Sequence, residues 1–339
     1  MGATLKVEAL PSTSPSDPPL APGLERWYGL AALLLLATVL AEALTGSTPL
    51  PKLVEPETFV FVLGNYGACA LLIWEATVRW NKGWASMLLL GAAFGVESEG
   101  LGAKTLIDPT GSVLGSTQIY SHWLGVNWVP FVYLTLFHAV FSMGVPIVLV
   151  QLLAPRTRGK RLVGDAGLAL ATVVFGADSL FLIAVAGPHY FPPLPLVFLA
   201  GVCIVYVVAA YLVPRDLLVS RSDRPDRRER FYWGIGAGFF AGFFFLSTLG
   251  PHLWPAVVTV VLFLGLGAFC LRLVQEHAGS SHNEVAKIGV VLGLVSVLTP
   301  MDILLEIGGD TGVLAVTALT LGLLFWLRQK WSQRLSPPV

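Results

Sequence analysis

Eight ionisable side chains sit within long apolar runs: Glu42, Glu75, Glu97, Glu99, His138, Asp178, Asp302 and Glu306. In a bilayer each would cost about 2.5–3.5 kcal/mol to insert, so each needs a partner or a use. Carboxylates grouped with one imidazole suit two chemistries. The first is general acid–base catalysis, in which a glutamate or histidine activates water and exchanges its proton. The second is carriage of protons or cations across the membrane.

The densest of these stretches is GAAFGVESEGLGAKT, residues 91–105. Gly91 and Gly95 form a small-xxx-small face for close helix packing, and Glu99 continues it four residues on. On a regular helix Glu97 points about 200° away from Glu99. Either one glutamate is the functional one, or Gly100 and Gly102 let the helix unwind so that both enter one cavity. His138 lies mid-run in VPFVYLTLFHAVFSMGVP, with Ser142 one turn on to orient it. Asp178, in FGADSLF, is expected to pair with His138. The catalytic candidates are therefore Glu97, Glu99, His138 and Asp178. Asp302 and Glu306, one turn apart in TPMDILLE, and His122 are candidates for substrate or ion binding. His122 belongs to the loop 105–125, which also carries Asp108, Gln118 and Tyr120 and reads as either a lid or a plain surface loop. Glu75 is four residues before Arg79, the spacing of an intrahelical ion pair.

The elements that must hold these residues follow from composition. The chain has 339 residues, 55% hydrophobic and only 12% charged, with a mean hydropathy of +0.74. Soluble domains carry roughly 25% charged residues. Apolar runs of about 20 residues recur, the length needed to cross a ~30 Å hydrocarbon core. The expectation is an all-α, polytopic membrane protein with about ten helices, at roughly 27–45, 58–78, 84–103, 126–153, 163–186, 192–213, 232–250, 252–274, 285–307 and 311–331. Gly250-Pro251-His252 is expected to turn the chain between the seventh and eighth. Gly234, Gly238 and Gly242 read as a close-packing face of the seventh.

Placing both termini in the cytoplasm puts every one of the 21 Lys and Arg residues inside except Lys52 and Lys104, as the positive-inside rule requires. The organisation expected is a Pro/Ser-rich disordered tail at 1–23, one transmembrane domain at 24–331 and a short tail at 332–339, in the plasma membrane. The first apolar run lacks signal-peptide features and is expected to be retained. Cys69, Cys203 and Cys270 form no metal or redox spacing and read as buried filler. No cofactor is indicated, and no metal is assigned. Net charge is zero, so composition argues against a nucleic-acid partner. The partner expected is the bilayer, with a lipid, an isoprenoid or a membrane peptide as substrate.

Residues 91–142 resemble the CAAX-processing and bacteriocin-processing (CPBP) intramembrane protease family. Glu97 and Glu99 stand for its glutamate pair, Lys104 for the basic residue that follows, and His138 for the histidine on the next helix. Ser98 separates the glutamates here, and Leu134 occupies the position four before His138 where that family has Phe. The rest of the chain is similar to prokaryotic polytopic membrane proteins of unassigned function. The resemblance implies a membrane-embedded hydrolase. The residues alone leave three classes: a lipid- or isoprenoid-modifying enzyme or hydrolase, an ion-coupled transporter, and an accessory subunit without chemistry.

Overall fold

The computed structural model describes residues 18–109, 120–185, 192–218, 229–277 and 284–335. Ten long helical rods cross it: α1 (Gly23–Glu42), α2 (Pro56–Arg79), α3 (84–102), α4 (Trp128–Leu153), α5 (Asp165–Val185), α6 (Pro193–Leu212), α7 (Glu229–Leu253), α8 (Ala256–His277), α9 (Glu284–Gly308) and α10 (Val313–Leu335). Among the described residues, nine of these are long and apolar enough to span a membrane. The exception, α3, is a 13-residue α-helix continued by six residues that hold both glutamates. Backbone groups have no partner in hydrocarbon, so helices that satisfy their own amides are the form these runs can take. The chain is thus an all-α polytopic membrane protein. Of the expected N-terminal tail, residues 1–17 lie outside the described residues. Ala21 is buried, and its amide donates to Arg161 O at 2.9 Å.

Contacts sort the helix ends into two groups. At one end, Trp74 Nε1 donates to Lys160 O, Lys82 Nζ to Val213 O and Gln275 to Leu217 O. Arg158 pairs with Glu284 and Arg328 with Glu229. At the other end, Leu50 N donates to Thr311 O, Lys104 Nζ to Ile183 O and Tyr120 Oη to Trp254 O. Successive helices alternate between these ends, and the basic loops gather at the first.

The central helix is α4. Its Phe137 and Phe141 meet Phe240 of α7, with ring centroids 6.0 and 5.2 Å apart. Around them close Leu40, Val295, Leu298 and Leu327, all buried. By contrast α5, α6 and α8 keep most of their apolar surface outward, as lipid-facing helices do.

Two expectations shift. The α7–α8 hairpin forms, but α7 runs through Pro251 to Leu253 and the turn falls at Trp254-Pro255. Pro251 has no amide to donate to Ser247 O, and the helix ends two residues later, at Leu253. The close-packing glycines also differ. A methyl on Gly236 would sit 2.0 Å from Val290 O, and one on Gly293 2.1 Å from Trp233 O; of the expected face Gly234 and Gly238 meet open space, while Gly242 packs closely, with Leu266 of α8 2.9 Å from a methyl built on it. The α7–α9 crossing therefore uses Gly236 and Gly293. Gly293→Ala is expected to destabilise the protein by about 1–3 kcal/mol, the usual cost of overpacking, while Gly234→Ala leaves stability unchanged. Thermal unfolding of the two purified variants tests the assignment; equal midpoints would reverse it.

Candidate functional site

Three of the rods widen locally from α to π geometry: Leu63–Gly67 in α2, Glu97–Gly102 in α3 and His138–Gly144 in α4. The widening shows in i→i+5 bonds, from Ala68 N to Leu63 O, Ala103 N to Ser98 O (2.7 Å) and Val145 N to Val140 O. Such turns are rare and concentrate at functional sites. In α4 the cause is local: Pro146 lies two residues after the segment, and its ring would clash with Ser142 O, four residues back, in a tight α turn. In α3 the run ends at Gly100 and Gly102, which hold a helix weakly.

The three segments meet around one pair. His138 Nε2 lies 3.2 Å from Glu99 Oε1. The imidazole is almost fully buried, with its side chain 4% exposed, while the Glu99 side chain is 20% exposed. Gly95 permits this approach: a methyl there would lie 3.0 Å from His138 Cβ and 3.2 Å from Thr135 Cα. Gly91 packs likewise, with Ala139 Cα 2.9 Å from a Cβ built on it. The expected small-residue face of α3 is real, and it docks α3 on the histidine. Phe94 and Phe137 stand edge-on to the imidazole at 5.4 and 5.7 Å, and Tyr66 lies 6.1 Å away. These rings fix the imidazole plane.

Near the histidine on α4, and on the π segment of α2, are buried polar atoms without hydrogen-bond partners among the described residues: Thr135 Oγ1, His138 Nδ1 and Ser142 Oγ on α4, and Asn65 Nδ2 on α2. Ser142 therefore does not orient His138. Leaving a buried polar atom unpaired costs roughly 1–3 kcal/mol. Glu99 also lies within reach of Thr105, and the Tyr66 hydroxyl faces both Glu42 and Glu99. Thr48 Oγ1 donates to Glu42 Oε2 at 2.6 Å. Tyr66, Asn65 and Thr105 were not among the sequence candidates. The polar pair Asn65-Tyr66 between Gly64 and Gly67 in an apolar run was the available signal.

The other candidates lie elsewhere. Glu97 turns toward Ser179 of α5 and is within electrostatic reach of Cys69 and Cys203, but Glu97 Oε2 and Ser179 Oγ each lack a bond. The two glutamates thus face different neighbours across the π turn. Asp178 does not pair with His138, contrary to expectation. Its Oδ2 packs on Gly64, where a methyl would lie 1.7 Å away, and has no partner among the described residues. Glu99 occupies the place expected for Asp178 because the π turns rotate it onto α4.

His122 lies in a two-stranded ribbon, β1 (His122–Trp123) and β2 (Val126–Asn127), with Nδ1 2.7 Å from Asn127 Oδ1. Asn127 in turn donates to Thr105 O and Asp108 O. Leu106 and Ile107 are fully buried, so the start of this loop tucks into the bundle. Its residues 110–119, including Gln118, lie outside the described residues.

Buried Asp302 accepts from Thr317 Oγ1 at 2.6 Å, and its Oδ1 is unpaired. Glu306 accepts the amides of Gly312 (3.0 Å) and Leu314 (3.1 Å), capping the start of α10. That cap accounts for its presence without an ion. Among the described residues, no three His, Cys, Asp or Glu side chains come together as metal ligands.

An uncharacterized membrane protein family has a model that matches residues 31–335, and the chain belongs to that family. The match is to this family, not to the intramembrane proteases that residues 91–142 resemble. No curated protein and no solved structure matches the chain.

Proposed function

We propose that this member of the family is a membrane-embedded enzyme in which Glu99 and His138 form the acid–base pair. The observation that carries the reading is the buried 3.2 Å Glu99–His138 contact at the meeting point of three π turns. When Glu99 is ionised it accepts from His138 Nε2–H, which leaves Nδ1 unprotonated, buried and unpartnered. An imidazole so held is a general base. It takes a proton from water at Nδ1, and the hydroxide adds to a carbonyl or phosphoryl centre. The imidazolium, stabilised by Glu99, then returns the proton to the leaving group. Substrates of the bilayer itself fit such a buried site: a lipid, an isoprenoid chain or a membrane peptide. The positive-inside count supports both termini being cytoplasmic, and the single bundle supports one transmembrane domain.

Proton-coupled transport is the second reading. Asp178 and Asp302, each with one unpaired carboxylate oxygen, favour it. One experiment separates the two. Wild-type protein and His138→Gln are reconstituted in liposomes of total membrane lipid, with mass spectrometry of the contents and a pH-sensitive dye inside. New hydrolysis products in wild type alone support the enzyme. Identical lipid profiles with a proton flux lost in Asp302→Asn would replace it with the transporter.

A further inference from the structure

A second feature lies at the basic end of the bundle and reaches Thr135 and Ala139, next to His138 on α4. A cavity of about 1150 Å³ opens between α3, α4, α7, α8 and α9. It lies at or above the range of small-molecule pockets, roughly 300–1,000 Å³. Its body is hydrocarbon, walled by Leu136, Val140, Phe239, Leu264, Leu271 and Leu294. Arg79, Lys82, Arg158, Arg215 and Lys287 also line it, and among the described residues no Asp or Glu does.

The charge on this lining is only partly offset by neighbours. Arg79 is held by Glu75 and Asp165. Arg158 and Lys287 share the single carboxylate of Glu284, and Arg158 Nη2 is buried without a partner. Among the described residues the hydrogen bonds of Lys82 and Arg215 go to neutral groups: Lys82 Nζ donates to Val213 O at 3.0 Å, and Arg215 Nη1 to Asn81 Oδ1 at 2.6 Å. Those two bonds pin the α2–α3 turn to the end of α6, so both cations are held in place. Leu264 and Leu271 line the cavity yet are 53% and 38% exposed. They lie on α8, so the cavity opens there toward the surface that lipid covers.

We propose that this cavity binds one anionic membrane lipid, its chains along the apolar wall and its phosphate among Lys82, Arg215 and the Arg158–Lys287 pair. An apolar chamber with a cation-rich, carboxylate-free lining is complementary to an amphiphile with a negative head. A zwitterionic lipid of the same chains would gain the apolar contacts and lose the net attraction. Free phosphate would gain the charge and lose the contacts.

The test is binding to the purified full chain in detergent, followed by native mass spectrometry. Three probes are compared: phosphatidylglycerol, phosphatidylcholine of identical chains, and inorganic phosphate. Expected are at least tenfold tighter retention of phosphatidylglycerol than of phosphatidylcholine, and a loss of that preference in Lys82→Gln/Arg215→Gln. Ala268→Trp, which fills the cavity on α8, is expected to weaken both lipids. On wild type alone, raising salt is expected to weaken phosphatidylglycerol selectively, which keeps the test open if a variant does not fold. Equal retention of the two lipids would overturn the proposal. So would displacement of phosphatidylglycerol by millimolar phosphate, which would make the site one for a free anion.

Discussion

Glu99→Gln and His138→Gln are each expected to lower turnover of the membrane substrate by about 10²- to 10⁴-fold, the usual contribution of a positioned acid–base group. The two substitutions act on one unit, since the carboxylate works only through the imidazole it touches at 3.2 Å. Their double variant is therefore expected to be no worse than either alone. Both replacements are polar and similar in size, so unfolding midpoints should stay within a few degrees of wild type. Asp302→Asn is the control. Its carboxylate is tied to Thr317 across α9 and α10, and activity should persist. Additive losses in the double variant, or an inactive Asp302→Asn with active Glu99→Gln, would remove the pair from the chemistry.

The largest stability effect is expected at Glu75. The spacing to Arg79 forecast an ion pair, and the pair forms at 3.0 Å. The carboxylate does more than that. It is fully buried and accepts the amides of Leu162 (2.6 Å) and Val163 (3.1 Å), while Arg79 reaches on to Asp165. One side chain thus fastens the α4–α5 connection to the end of α2. Glu75→Ala leaves the two buried amides and Arg79 Nε without their acceptor, while Arg79 keeps Asp165; at about 1–3 kcal/mol for each buried group left unpaired, the expected cost is about 2–5 kcal/mol. Glu75→Gln keeps an oxygen for the amides and should cost less. Unfolding of purified protein measures both, and an Ala variant as stable as wild type would show the contact to be dispensable.

The ten rods were legible because apolar length alone sets them, and loops rich in Lys and Arg marked the ends. Glu99 and His138 were legible as types, since an imidazole and a carboxylate in hydrocarbon have few reasons to be there. A glutamate partner for the histidine was legible too; which of Glu97 and Glu99 it would be was not. A helix of 3.6 residues per turn sets Glu97 and Glu99 on different faces but does not say which one meets α4. Three π turns decide that, and no residue pattern in a regular helix announces them. Asp178, expected on His138, lies instead against Gly64 of α2. Glu306 stood out, with Asp302 one turn before it, as a candidate for substrate or ion binding. Its capping of α10 was not legible, because it depends on the tight turn through Gly309 and Gly312, both with positive φ, which folds the start of α10 back onto it. In α7 the glycine row at four-residue spacing drew the eye from Gly236, which faces α9 alone among its neighbours in GIGAG.

Each π turn carries one residue more than the α turn it replaces. Removing a single residue from any of the three segments would restore regular geometry there and turn the following half-helix by about 100°. The fold would retain its ten rods, yet in α4 the half beyond His138 would present a new row of side chains to α7. The three helices are thus indexed against one another by whole residues, like gears with a tooth added. Chains related to this one are expected to gain or lose residues in loops and to keep these three counts constant.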